Sequence, residues 1–338
     1  MDLRQLAILR ELGDRGSVTA VADALLVTPS AVSQQLAALQ RRVAVPLTER
    51  RGRTLVLTDA GRALAAAGAD VAAALARAER AVDDYLAEPR GPVRVAAFHS
   101  AAATFFPRLL RGGGDALLEL TDQDVEQDRF PALTADHDVV VAHRADHSAP
   151  WPPTTKVVPL LHEPLDVALP AGHPLSCRTD LSVADVGDQP WIAVQTGFPL
   201  LGSLQAIAAA AGRPSQVRHR INDFTVAAAL VAAGGGLALM PRYTAPQRPD
   251  VVLRPLRDLH VARRVDALVR PERALRSSVG TVVALLQDIA RQLIEVGPTA
   301  ETGRRAATGR QAASARIRAG APRPAAAAEP RTSTAPAG

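Results

Sequence analysis

The sequence predicts an α/β chain in two parts: an all-α head that runs into one long helix, then a larger domain of alternating strands and helices. Three observations carry this. In "VTPSAVSQQLAALQRR", residues 27–42, and just beyond it, Val32, Leu36, Leu39 and Val43 recur at spacings of four, three and four, one apolar stripe of a helix. Residues 59–86 contain no proline and are dominated by alanine. After residue 92, the apolar runs "VRVAAF", "HDVVVAH", "PLDVALP", "PWIAVQ" and "LALMP" alternate with helical patterns, which predicts a sheet of largely parallel strands.

At 338 residues, 47% of them hydrophobic and 22% charged, the chain is large enough for two or three buried cores. Cys177 is the single cysteine, which excludes an internal disulfide and a thiolate metal cluster. The opening "MDLRQLAILRELGDRG" has acidic residues inside its apolar periodicity and does not read as a signal peptide. The longest apolar run, residues 225–241, is broken by Gly234, Gly235 and Gly236 and falls short of a membrane span, so the chain reads as cytoplasmic. The net charge of +5 lies in the tail from residue 298, which holds seven arginines against two glutamates, so the body is formally neutral. Local charge says more: residues 41–53 hold five arginines and one glutamate.

The head begins with a helix read from Leu3 to about Asp14, with Leu6, Leu9 and Leu12 inward and Gly16 as its stop. Ser17 is a good N-cap for a short second helix whose Val18, Val21, Ala22 and Leu25 share a face. Leu26 and Val27 make a tight turn. Thr28 then caps a third helix, with Pro29 at the first helical position, where its missing N–H costs nothing. Two short helices joined by a few residues form a helix-turn-helix. The polar stripe of the third helix, Ser30, Ser33, Gln34, Ala38 and Arg41, has short donors and acceptors that fit a major groove. An ordinary helical hairpin with a solvated face remains open at this point.

"VPLTERRGRTLVLTDAGRAL" follows, with strand-like segments around Arg51, Gly52 and Arg53 and Thr58 as the next N-cap. A basic hairpin after the polar helix is a wing placed for phosphates or a minor groove; a merely solvated turn is the alternative. The long helix carries Leu64, Val71, Leu75, Ala78, Val82 and Tyr85 in near-heptad rhythm. Its stripe needs a partner, either a second copy or the chain's own domain. Glu88, Pro89, Arg90, Gly91 and Pro92 break it. Beyond, "SAAATFFPRLL" reads as a helix from Ser100, "LLGSLQAIAAAAG" and "FTVAAALVAAGGG" as two more, and residues 275–296 as the last.

Residues 1 to about 88 resemble the winged helix-turn-helix and linker helix of LysR-type transcriptional regulators. The resemblance rests on "AVADALLVTPSAVSQQLAAL", "PLTERRGRTLVLTDAGRAL" and the alanine-rich helix. It implies DNA contacts at Thr28, Pro29, Ser30, Ser33 and Gln34, with Arg50, Arg51 and Arg53 on phosphate or minor groove. The family often has Gln where Pro29 stands and Arg or His where Gln34 stands, so base preference does not carry over. Gln40 stands where an acidic residue is usual, which points to a weaker local salt bridge.

The second half resembles the same family's effector-binding domain, on "NDFTVAAALVAAGGGLALMP" and overall element order. The implied fold is α/β with an N-terminal all-α winged helix-turn-helix and a C-terminal two-lobed periplasmic-binding-protein-like α/β domain. The expected parts are residues 1–58 (DNA-binding), 59–88 (linker and dimerisation helix), 89–92 (hinge), 93–296 (effector-binding) and 297–338 (disordered Ala/Arg/Pro-rich tail). Lobe one is 93–162 plus 268–296 and lobe two 163–267, with crossings near Pro164 and Pro271; lobe one looks trimmed between Gly112 and His137.

A cleft between two lobes takes its ligand contacts from strand ends and helix starts. Ser100 sits at such a junction, where its hydroxyl and nearby N–H groups hold an anion, or where it is a plain N-cap; Ala101 and Ala102 leave the approach open. By resemblance, Gln195, Thr196 and Gly197 face it across the cleft, with Asn222, Asp223 and Phe224 nearby and His143 at most a rim contact. His137, His143 and His147 read as scattered histidines in a strand and a proline-rich loop, not as a zinc site. No nucleophile elbow, phosphate-binding loop or dinucleotide fingerprint is present, so no cofactor, metal or catalytic residue is expected. The sequence therefore predicts an effector-controlled, promoter-binding homodimer or homotetramer. An architectural DNA-binding protein whose C-terminal domain only oligomerises is the alternative, and an enzyme the weakest reading.

Overall fold

The computed structural model describes residues 1–51, 54–83, 92–112, 117–146 and 148–297. Arg53, most of the hinge, His147 and the tail from residue 298 lie outside them. The head comprises α1 (Leu3–Arg15), α2 (Val18–Ala24), α3 (Pro29–Gln40), the hairpin β1 (Thr48–Arg51) and β2 (Thr54–Leu57), and α4 (Asp59–Asp83). The chain's own caps set these limits. Asp2 and Gln5 make a reciprocal capping box on α1, and Gly16 ends it in the left-handed region at φ 67°. Ser17 accepts from the Ala20 N–H, and Thr28 accepts from the Ala31 N–H ahead of Pro29. Thr58 caps α4 by accepting from the Gly61 N–H at 3.0 Å.

Ile8, Leu9, Leu12, Val21, Val32, Leu39 and Leu57 form the buried core of the head, with Leu36 and Val43 packed against it. That is the apolar stripe read from α3. The turn between α2 and α3 holds Leu26 at φ 53°, the one non-glycine residue with positive φ among those described, and its side chain is 93% exposed.

The larger domain runs β3 (Val93–Ala97), α5 (His99–Gly112), β4 (Leu118–Asp122), α6 (Phe130–Leu133), β5 (Val139–Ala145) and β6 (Lys156–Pro170). It continues with α7 (Val183–Val186), β7 (Pro190–Ala193), α8 (Leu200–Ala210), β8 (Gln216–Arg220), α9 (Phe224–Ala232) and β9 (Leu237–Pro241). β10 (Val251–Arg254), β11 (Ala262–Val269) and α10 (residues 277–297) complete it. Nine strands join in the order β4-β3-β5-β11-β6-β9-β7-β8, with β10 also on β6. The pairs flanking β3 and β7 are parallel, whereas every pairing of β6 and β11 is antiparallel. The sheet is therefore mixed, not largely parallel.

The long strand β6 serves both lobes: residues 156–164 pair with β11, and residues 165–170 with β9 and β10. β11 also pairs with β5 along Arg263–Leu268, so it belongs to the first lobe's sheet. The return crossing accordingly lies at Val261–Ala262, not near Pro271, and the expected second-lobe limit of residue 267 moves back; the first crossing, at Pro164, falls where Ala262 pairs with it. α10 closes lobe one by burying Val279, Val282, Leu286 and Ile289 in its core, each worth about 1.5–3 kcal/mol of transfer free energy. Lobe two is built around the fully buried Trp191 with Leu169, Leu181 and Ile207. The glycine run after α9 makes a helix-to-strand turn: Gly236 has φ 145°, and a Cβ there would lie 2.7 Å from the Pro190 carbonyl oxygen. α6 is a single turn, in line with a trimmed lobe one.

The head also docks on lobe one through charges. Arg10 pairs with Glu272 at 2.9 Å, Arg270 with Glu11 at 2.7 Å and Asp14 at 2.6 Å, and Arg15 with Asp136 at 2.9 Å. Burial pushes the Glu11 carboxyl up, but Arg270 and Arg15 outweigh it and hold the group below its ordinary value. At Asp14 burial wins, and its carboxyl is raised.

A leucine in the left-handed region costs roughly 1–2 kcal/mol, and Leu26 recovers nothing by burial. Leu26→Gly is expected to stabilise the head by about 1 kcal/mol in urea denaturation; an unchanged or lower midpoint would contradict this.

Candidate nucleic-acid interface and effector cleft

Helix α3 buries Val32 and Leu39 and turns Thr28, Pro29, Ser30, Ser33 and Gln34 to solvent. The Thr28 and Ser30 hydroxyls lie 3.0 Å apart at its start, so one caps the helix while the other lies beside it on the outer face. Arg41 and Arg42, at the end of α3, and Arg50 and Arg51, on the wing, are exposed as well. Arg51 is partly neutralised by Glu49 at 2.8 Å. Arg53 lies outside the described residues.

Gln40 fixes the wing relative to α3. Its amide donates to the Val43 carbonyl at 3.3 Å and the Val45 carbonyl at 2.9 Å, and its oxygen accepts from the Leu47 N–H at 2.8 Å. The structure shows a backbone clamp where a weakened salt bridge was expected. A carboxylate at this position accepts from Leu47 and has nothing to donate.

The cleft residues are differently disposed. α5 starts at His99, so Ser100 lies inside its first turn and is buried. The Ser100 hydroxyl accepts from Arg263 Nη2 at 3.1 Å. Arg263 is 1% exposed and pairs at 2.8 Å with Glu163, which is fully buried. Glu163 also accepts from the Tyr243 and Thr244 N–H groups at 2.9 and 2.8 Å and from the Thr244 hydroxyl at 3.1 Å. Phe98 and Phe224 flank the guanidinium, with ring centroids 4.9 and 5.9 Å from its carbon. The predicted anion-holding serine is thus met by a cation of the chain itself, which the sequence reading missed. The available signal was a charged residue inside each of two apolar strand runs, "LLHEPLDVALP" and "HVARRVDALV".

Ala101 is fully buried in the lobe-one core and does not line the cleft. Gln195, Thr196 and Gly197 form an exposed loop. The Asn222 side chain accepts from the Gln195 N–H at 2.8 Å, and the Gly197 carbonyl accepts from the Gln127 N–H of lobe one at 3.5 Å. Gly197 has φ 90°, a backbone conformation that favours glycine, and a Cβ there would push aside the exposed Glu126 side chain of lobe one. Asp223 caps α9, and Phe224 is half-buried beside Arg263. His143 is not on a rim: it packs in the core with its ring 4.2 Å from that of Phe98. Arg144, the next residue of β5, pairs with Asp266. No cluster of three or more metal-ligating side chains occurs among the described residues.

Burial, and then the charge of Arg263, hold the His143 imidazole well below its ordinary value of 6.5. As pH falls through that value the unfolded chain takes up a proton that the folded chain refuses. Stability then drops by about 1.4 kcal/mol per pH unit until the folded group titrates too. His143→Leu is expected to shrink the fall in melting temperature between neutral pH and pH 5; equal falls in both proteins would contradict this. Gln40→Glu is expected to cost about 1–2 kcal/mol in denaturant unfolding, because two carbonyls lose their donor.

Residues 3–62 match the model of the bacterial regulatory helix-turn-helix proteins of the lysR family, and residues 86–291 match that of the LysR substrate binding domain. The transcriptional dual regulator GltC of Bacillus subtilis is 25% identical over 275 residues, 80% of this chain and 91% of that one. A probable hydrogen peroxide-inducible genes activator of Mycobacterium leprae is 28% identical, over 69% of this chain and 75% of its own length. Among solved structures, a full-length OxyR variant from Pseudomonas aeruginosa shares the fold at a TM-score of 0.58 and 17% identity, covering 85% of this chain and 98% of that one. With its DNA-binding head and its effector-binding domain both accounted for, the chain belongs to the LysR family of transcriptional regulators.

Proposed function

We propose that Thr28, Pro29, Ser30, Ser33 and Gln34 enter the major groove of an operator, with Arg50, Arg51 and Arg53 on the flanking phosphates or minor groove. The chain is a DNA-binding transcription regulator by family, with a domain for a small-molecule effector. The observation that carries the reading of these residues is their disposition: short polar side chains are exposed on one face of α3, and Arg50 and Arg51 on the wing are exposed too. Family membership assigns regulation; that the chain performs no catalysis is our reading, supported by the internal engagement of the polar groups in its cleft.

Two copies pair through α4. Ala65, Ala69 and Ala73 are buried against the chain's own head, while Val71 and Leu75 remain 45% and 46% exposed on another side of the helix. A second copy covering that stripe presents two recognition helices to two half-sites. Such a molecule works on chromosomal DNA, in the cytoplasm. The effector occupies the cleft near Ser100, Phe224 and the Gln195–Gly197 loop. One observation favours the alternative, an architectural DNA-binding protein that takes no ligand: Arg263 already engages Ser100. Thermal-shift screening separates the two, since a stabilising metabolite supports the effector reading and none supports the alternative.

Footprinting is expected to protect two half-sites near the chain's own gene. Gln34→Ala costs about 1–3 kcal/mol of operator affinity, read as a selective loss over nonspecific DNA. Arg50→Ala weakens all sequences alike and lowers the salt slope by about one. Binding that is nonspecific in every one of these proteins would sink the reading.

A further inference from the structure

Lobe one ends its parallel strands β3 and β4 side by side, with Ala97 against Asp122. The carboxyl ends of parallel strands are where α/β domains take their ligands. From that edge come His99, Asp122, Asp124 and Glu126, and from lobe two comes Asp223, the cap of α9. His99 Nδ1 lies 2.9 Å from Asp122 Oδ2. Partial burial raises the Asp124 carboxyl, His99 opposes the rise, and Asp223 and Asp122 add to it. The N–H groups at the start of α9 hold the Asp223 carboxyl below its ordinary value, and His99 of lobe one acts in the same direction. Carboxylates of the two lobes therefore face one another across the cleft. The cations of the region are otherwise engaged: Arg263 is buried on Glu163 at 2.8 Å, and Arg220 donates to the Val194 carbonyl at 3.2 Å. Asp124 makes no hydrogen bond or ion pair among the described residues, and Asp223 uses only Oδ1 for its cap.

Resting on the reading of this cleft as the effector site, we infer that its effector carries an organic ammonium group, held between Asp124 of lobe one and Asp223 of lobe two. Facing carboxylates on separate lobes repel, so bringing the lobes together is unfavourable unless a cation stands between them. An ammonium has three donors and no acceptor, which lets one group bridge both lobes. A carboxylate effector meets the reverse: repulsion from Asp124 and Asp223, and a guanidinium already held by Glu163. A bare metal ion suits the place less, because no three possible ligands stand close enough to hold one among the described residues. Phe224, next in the chain to Asp223 and half-buried, leaves apolar surface for the carbon body of an amine.

The test is thermal denaturation of the full chain, at fixed ionic strength, with equal millimolar amounts of butylamine, 1,4-diaminobutane, butyrate or succinate. Both amines are expected to raise the melting temperature, and neither acid. Asp124→Asn and Asp223→Asn are each expected to need about tenfold more amine for the same rise, as loss of a charged hydrogen-bond partner requires. Asparagine caps a helix as well as aspartate does. Should Asp223→Asn fail to fold even so, Asp124→Asn decides alone. An acid that stabilises where the amines do not overturns the inference and leaves the effector reading standing. No rise with either amine overturns it as well, and the metabolite screen then decides the effector reading separately. An amine response unchanged in Asp124→Asn, or matched by magnesium chloride, also overturns it.

Discussion

The buried pair Glu163–Arg263 holds the second domain together where its strands pass between the lobes. The two residues face each other in the β6–β11 register, Glu163 one position before the first crossing and Arg263 one position after the return. Taking both charges out of water costs several kcal/mol per ion, and the 2.8 Å contact repays that only because the remaining valences are filled. Glu163 accepts from two backbone N–H groups and a hydroxyl of lobe two, and Arg263 reaches Ser100 of lobe one. Removing either charge strands the other in the interior, at roughly 3–5 kcal/mol. The pair thus ties three segments distant in sequence to the crossing and fixes how the lobes meet.

The same arrangement shows where sequence reasoning runs out. Caps are local rules, so Gly16, Ser17, Thr28 with Pro29, and Thr58 were legible, and with them the whole head. The apolar stripe of α10 was legible for the same reason. Strands β4, "LELTD", and β8, "QVRHR", went unread because they lie at the two edges of the sheet, where polar side chains outnumber apolar ones and no buried apolar run forms. β11 was divided between lobes because its place depends on pairing with β5, more than a hundred residues earlier. Ser100 was rightly placed at a helix start, yet its partner stands 163 residues away, beyond any spacing argument.

The two joints of the molecule solve the burial of charge differently. At the lobe crossing, every acceptor position of Glu163 is used and two aromatic rings cover the cation. At the joint between head and lobe one, the ion pairs are short, but Arg10, Arg270 and Glu272 each leave an atom unspent. The opposed shifts of Glu11 and Asp14 express the same difference, since one carboxylate is fully compensated and its neighbour is not. A polar contact with partial compensation is easier to open than one with complete compensation, because solvent restores what separation removes.

β11 connects these joints. It carries Arg263 next to its first residue, at the cleft, and is followed directly by Arg270, which holds α1. Across seven residues of extended chain, the two guanidinium-bearing positions stand about 23 Å apart on one element. Antiparallel pairing with β5 on one side and β6 on the other braces the strand, with a register shift in the β6 ladder between Val265 and Asp266. A ligand that draws Arg263 away from Ser100 therefore acts on a braced strand whose far end anchors the DNA-reading head. Control of DNA binding from the cleft then requires no long chain of side chains, only one strand paired on both sides and held differently at its ends.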